Sequence, residues 1–128
     1  MHAVLVVDDE QLIRWSLKDR LSEQGYRIIE ADTAASAISR SEEGVDLVLL
    51  DYKLPDGDGL QVLKKLKERD PDVLVILLTA FSSIETAVEA MKHGAYHYAN
   101  KPFNLDEIAL MVDKALETTR LRREVKTL

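Results

Sequence analysis

The chain has 128 residues, 46% of them hydrophobic and 31% charged, with five glycines and three prolines: enough for one folded domain and too little for a multidomain enzyme. It has no cysteine, which excludes disulfide frameworks, thiolate zinc sites and cysteine nucleophiles and fits the cytoplasm, and its longest apolar runs, such as Val73 to Leu78, fall far short of the roughly 20 residues of a membrane span. No basic, apolar leader opens it, so a soluble, unexported protein is expected. The net charge of −6 is uneven: Lys114, Arg120, Arg122, Arg123 and Lys126 outnumber Glu117 and Glu124 in the tail, which is +3 and leaves −9 on a body that repels nucleic acid.

Short β-rich runs alternate with segments of helical period. The first strand is expected at Val4 to Val7, and the first helix carries Ile13, Leu17 and Leu21 at intervals of four. A second strand at Tyr26 to Glu30 precedes a helix with Ala34, Ala37 and Ile38, and a third at Asp46 to Leu50 precedes one with Leu60, Leu63 and Leu66. The fourth strand, Val73 to Leu78, leads to Ile84, Ala87, Val88 and Met91, and the fifth, Ala95 to Tyr98, to Leu105, Ile108, Val112 and Ala115. Gly25, Gly44 and Gly94 sit where helices should stop, Pro71 ends the third, and Thr33, Ser83 and Asn104 are expected N-caps.

The first, third and fourth strands are nearly continuous Val, Leu and Ile, as in a parallel sheet covered by helices on both faces. A five-stranded, doubly wound α/β sandwich is expected. No breaker interrupts 104–128, so the last helix should overshoot the domain, with Leu121, Val125 and Leu128 spaced as a short dimer seam or as the fraying start of a linker.

In such a sheet the residues just beyond the carboxyl ends of the strands converge on one crevice. Here these are Asp8 and Asp9 after the first strand, Asp51 after the third, Thr79 after the fourth, and Lys101 past the fifth. A lone Asp at a strand end would read as a helix cap, but capping does not account for a pair opposite a third. Three carboxylates within a few Å repel one another unless a cation lies between them. With oxygen donors, no cysteine, and histidine only at positions 2, 93 and 97, the expected ion is Mg²⁺, which Mn²⁺ can replace. A carboxylate beside such an ion, a lysine ammonium and a small hydroxyl suit phosphoryl transfer to Asp51, giving an aspartyl phosphate.

Asp8-Asp9-Glu10, Asp51 with Leu54-Pro55-Asp56-Gly57-Asp58-Gly59, Thr79-Ala80, and Tyr98 ahead of Lys101-Pro102-Phe103 resemble, in order and spacing, the receiver domain of two-component response regulators, over about 3–116. The resemblance implies a flavodoxin-like fold with strand order 2-1-3-4-5. It implies Asp51 as phosphoacceptor for a sensor histidine kinase, and Asp8, Asp9, Asp51 and the main-chain carbonyl of Lys53 as Mg²⁺ ligands. Thr79 and Lys101 would bind the phosphoryl group with the backbone N–H groups of Tyr52 and Ala80. Tyr98 would be the switch aromatic, on an output face made by the fourth helix, fifth strand and fifth helix, and Lys101-Pro102 would be cis. Such a domain is a signalling switch that catalyses only its own phosphorylation and dephosphorylation.

The stretch 79–103 further resembles receivers of the NtrC type, which precede an AAA+ ATPase and a DNA-binding domain in sigma-54-dependent activators. That implies a receiver over 1–116, the start of a linker over 117–128, and a longer parent chain, since no Gly-Lys-Ser/Thr phosphate loop occurs. The seam of Leu121, Val125 and Leu128, assisted by the output face, leads to the expectation of a homodimer. Two other readings fit less well. A haloacid dehalogenase-type phosphatase wants a second Asp where Lys53 stands, and Asp8-Asp9-Glu10 would repel the phosphate of a flavodoxin-like cofactor.

Overall fold

The strands β1 (Ala3–Val7), β2 (Arg27–Ala31) and β3 (Leu47–Asp51), with two later ones, form a parallel sheet in a computed structural model that describes residues 1–80 and 84–127, with the backbone alone at 120 and 122–127. Between the strands run α1 (Gln11–Ser22) and α2 (Ala34–Arg40). A two-residue hairpin, β4 (Lys53–Leu54) and β5 (Gly57–Asp58), follows β3 and leads into α3 (Gly59–Arg69). Then come β6 (Leu74–Thr79), α4 (Ile84–Lys92), β7 (His97–Asn100) and α5 (Leu105–Thr127). The sheet order β2-β1-β3-β6-β7 is the doubly wound order expected, counting the hairpin apart.

Side chains alternate between two cores because a strand turns successive residues to opposite faces. Leu5, Val7, Val48, Leu50, Val75 and Leu77 meet Val62, Leu63 and Leu66 of α3 on one side. Val4, Val6, Leu47, Leu49, Ile76 and Leu78 meet Leu17 and Leu21 of α1 and Ile108, Val112 and Leu116 of α5 on the other. Both faces are therefore dry, which is why β1 is apolar throughout and β3 and β6 are apolar up to their last residues.

The observed strands begin and end one or two residues later than the sequence suggested, apart from β1. β3 starts at Leu47 and takes in Asp51, β6 takes in Thr79, and β7 starts at His97 and reaches Asn100. The parallel ladder continues into polar residues because it is made of backbone groups: Tyr52 N–H donates to the Leu78 carbonyl at 2.9 Å and Lys101 N–H to the Thr79 carbonyl at 2.8 Å. Tyr26, expected to open the second strand, lies just before it and donates its hydroxyl to Asp113 of α5, which also accepts from Gln24.

Thr33 caps α2 through a reciprocal pair with Ser36, and Asn104 accepts from the N–H groups of Asp106 and Glu107 at the start of α5. Ser83 lies outside the described residues. In α5 the last buried side chain described is Leu116, while Leu121 is 48% exposed. Leu128 of the seam lies outside the described residues, as do the side chains of Val125 and of the basic Arg120, Arg122, Arg123 and Lys126. No helix among the described residues is long and apolar enough to cross a membrane.

Candidate functional site

Asp8, Asp51 and Thr79 are the buried polar side chains among the described residues, and all three lie at the carboxyl edge of the sheet. Asp8 follows β1 directly and is fully buried, its N–H donating to the Ala31 carbonyl. Its carboxylate accepts from the Glu10 N–H at 2.9 Å and from the Lys101 ammonium at 2.7 Å. That ammonium stands 3.3 Å from Asp51 as well, so one cation bridges the first and third strands. Lys101 reaches them across a cis peptide bond to Pro102, as the resemblance implies.

Burial, and then the neighbouring Asp8 charge, push the Asp51 carboxyl up to about 6, against the opposing pull of Lys101 and of a hydrogen bond from the Lys53 N–H. For Lys101, burial works against the ammonium, but hydrogen bonds and attraction from Asp8 and Asp51 outweigh it and hold the group above the usual lysine value. Asp51 is thus ionised at neutral pH yet held less favourably than an exposed carboxylate.

The Asp8, Asp9 and Glu10 carboxylates lie within 4.8 Å of one another. The sequence pointed to Asp8, Asp9 and Asp51. Glu10 joins the first two here because its N–H bond to Asp8 folds the turn back on itself, while Asp51 is drawn to Lys101. Three clustered oxygen donors facing one compensating ammonium suit a hard divalent cation. His93 pairs with Glu89, and the His97 ring lies against Tyr98, so neither serves this cluster.

Asp9, Glu10, Asp51, Thr79, Ala80 and Lys101 line a cleft of about 400 Å³, whose floor is closed by Tyr52–Pro55. One expected contact is redirected. The Tyr52 N–H belongs to the sheet ladder through Leu78, and the amide that faces Asp51 is that of Lys53. The hairpin that carries Lys53 is kept close by Gly59, whose N–H donates to the Tyr52 carbonyl at 2.6 Å. A Cβ there would come within 2.8 Å of the Asp51 carbonyl and 2.9 Å of Leu77, so no larger residue fits without moving the loop.

Asp56 caps from the same hairpin. Its two carboxylate oxygens accept from Ala34 and Ala35 N–H at 2.7 and 3.1 Å, tying the loop to the start of α2 and holding the Asp56 carboxyl below its ordinary value. Tyr98 stands opposite Leu77 in the β6–β7 register, half-buried against the α3 side of the core. Beside the cleft, Leu12, Ile13, Ala80, Pro102, Phe103 and Leu105 line an apolar groove of about 550 Å³, with Leu12 73% exposed.

A profile of the response regulator receiver domain matches residues 4–113. The regulatory protein AtoC of Escherichia coli (strain K12) is 36% identical over 129 residues, covering all of this chain and 28% of its own length. The DNA-binding transcriptional regulator NtrC of Proteus hauseri is 35% identical over 122 residues, covering 94% of this chain and 26% of its own. A crystal structure of NtrX from Brucella abortus superposes with a TM-score of 0.90 at 38% identity over 99% of this chain and 29% of that one. The chain therefore spans between a quarter and a third of the length of these relatives.

Proposed function

The chain belongs to the response regulator receiver domain family, a family of signalling domains, and we propose that it is a phosphorylation switch in which Asp51 takes a phosphoryl group from a sensor histidine kinase. The observation that carries this reading is the Lys101 ammonium bridging Asp8 and Asp51 at 2.7 and 3.3 Å, beside Thr79, in a cleft whose other wall is an acidic cluster.

The Asp51 carboxylate attacks phosphorus in line as the bond to the donor imidazole nitrogen breaks, and the departing nitrogen keeps the electron pair. Lys101 then shifts its charge from the carboxylate to the phosphoryl oxygens, and the Thr79 hydroxyl and Ala80 N–H donate to them. Asp8, Asp9, Asp51 and the main-chain carbonyl of Lys53 would hold Mg²⁺, or Mn²⁺ in its place. The bound ion supplies charge neutralisation at the transferring oxygens. A protein donor approaches over the apolar groove beside the cleft, where Leu12 and Phe103 offer it contact.

Drawing Thr79 toward the phosphoryl group lets Tyr98 move inward and changes the face formed by α4, β7 and α5. Ile84, Val88, Met91 and Leu110 are exposed on those helices, which suits a homodimer that forms or rearranges there. Residues 1–116 are the receiver and 117–128 begin a linker to an output region, here an AAA+ ATPase and DNA-binding domain of a sigma-54-dependent activator in the cytoplasm. The chain is not an enzyme for an external substrate.

Incubation with a small acyl phosphate and Mg²⁺, read by intact-protein mass spectrometry, should add one phosphoryl group, lost in acid or base and absent from Asp51→Asn. Undiminished, acid-stable labelling of that variant would overturn the assignment.

A further inference from the structure

Arg14 lies one turn into α1, its side chain 16% exposed, and its guanidinium makes two contacts. Nη1 donates to the main-chain carbonyl of Asp8 at 2.7 Å, and Nε pairs with Glu30 of β2 at 3.4 Å. Glu30 is held in turn by Lys18 at 3.5 Å. The second strand supplies no side chain to the cleft, so the contact is not part of the site's own chemistry.

The carbonyl that Arg14 holds belongs to the peptide joining Asp8 to Asp9, a rigid plane. Fixing that plane fixes the Asp9 Cα and the N–Cα axis about which its side chain swings. Asp8 does not need this help, because its carboxylate is already tied to the Glu10 N–H and Lys101. Asp9 is exposed, and among the described residues nothing hydrogen-bonds to its carboxylate.

We infer that Arg14, anchored on Glu30, is a positioning residue that aims Asp9 into the cleft for a divalent cation. The inference rests on the reading of the cleft as a Mg²⁺ site. Arginine suits the task because its planar guanidinium presents its donors in a fixed fork, which orients the carbonyl and the carboxylate relative to each other, whereas an ammonium on a flexible stem does not fix that angle.

Charge and geometry make opposite demands here, and that gives a clean test. As a nearby positive charge Arg14 repels Mg²⁺, so its field alone predicts tighter binding once it is removed. Positioning predicts weaker binding, on the order of ten-fold, as for other residues that orient metal ligands from behind.

Calorimetric Mg²⁺ titration of the 128-residue chain would compare wild type with Arg14→Gln, Arg14→Lys and Glu30→Gln, with melting in the absence of metal as the check on folding. The expected result is about ten-fold weaker binding for Arg14→Gln and a smaller loss for Arg14→Lys. If Arg14→Gln fails to fold, Glu30→Gln carries the test at about 0.5 M salt, where the field of a lost carboxylate is screened and a positioning loss persists. Arg14→Gln binding as tightly as wild type or tighter, full rescue by lysine, or a Glu30→Gln loss that vanishes in salt would overturn the inference. No Mg²⁺ binding by wild type would instead overturn the reading of the cleft, and this inference with it.

Discussion

The middle of the sheet and its carboxyl edge are built on opposed terms. In the middle, Leu5, Leu49, Ile76 and Leu77 are fully buried apolar side chains between two helical layers, and each adds stability without chemistry. Two or three residues further toward the carboxyl edge, Asp8, Asp51 and Thr79 are also buried but polar, and two of them are carboxylates facing a single ammonium. The edge holds groups that would lower the free energy of the fold by leaving, and the middle offsets their cost. Substitutions in the two regions should therefore move stability and activity in different combinations.

The largest effect belongs to the middle. Leu77→Ala should cost about 2–5 kcal/mol, since the residue is fully enclosed and Gly59 packs against it too closely for the cavity to collapse freely. Urea unfolding measures it. A loss under about 1 kcal/mol would mean the sheet centre is far more plastic than its packing implies.

At the edge the sign reverses. The folded state holds the Asp51 carboxyl at about 6 against an ordinary 3.8, so above pH 6 the fold carries an ionised group it holds poorly. The native state then binds more protons than the unfolded chain between about pH 4 and 6, and metal-free stability falls as pH rises through that window. Asp51→Asn removes this slope and should be more stable than wild type by about 2–3 kcal/mol at pH 7.5, the gap closing below about pH 4. It should do so while losing all phosphoryl uptake. Parallel unfolding curves for the two proteins from pH 4 to 7.5 would refute the electrostatic account of the edge.

The same contrast explains what could be read in advance. The apolar runs of β1, β3 and β6 announce themselves, because a strand covered on both faces has no polar positions to confuse its pattern. The strand ends were placed short because a ladder of backbone groups runs on into Asp51, Thr79 and Asn100, where side-chain character no longer reports it. The five-strand order and the gathering of Asp8, Asp51, Thr79 and Lys101 at one sheet edge were legible together, since the order itself brings them to one side.

Other features had weaker signals. The hairpin of Lys53–Leu54 with Gly57–Asp58 was visible as a motif but not as paired strands, since two residues carry no periodicity. The Tyr52 N–H could not be known to belong to the sheet until the end of β3 was fixed. Arg14 resembles any half-exposed arginine on a helix, and its role depends on a carbonyl six residues earlier, which no side-chain pattern encodes.

A smaller effect separates chemistry from its consequence within the edge itself. Thr79→Ala should keep much of the acyl-phosphate labelling of Asp51, because the nucleophile and Lys101 remain. It should lose the conformational response, because in the switch we propose the hydroxyl is the group drawn to the phosphoryl oxygens. Amide exchange over 84–100, with and without phosphodonor, reads this directly. Equal changes in wild type and variant would remove Thr79 from the route to Tyr98.

The smallest effect lies farthest from both regions, in the part of α5 that leaves the fold. The last buried side chain described on this helix is Leu116, and Leu121 is 48% exposed. A seam of fewer than two heptads is marginal alone, so association at about micromolar strength or weaker is expected, aided by the exposed Ile84, Val88 and Met91 of α4. Truncation after Leu116, the last buried side chain described on α5, should leave the urea midpoint nearly unchanged while lowering the sedimentation mass at high concentration. Phosphorylation of Asp51 should shift that mass in the full chain more than in the truncated one. Identical masses for the two chains in both phosphorylation states would reduce the extension to a linker and leave any self-association to the α4–β7–α5 face alone.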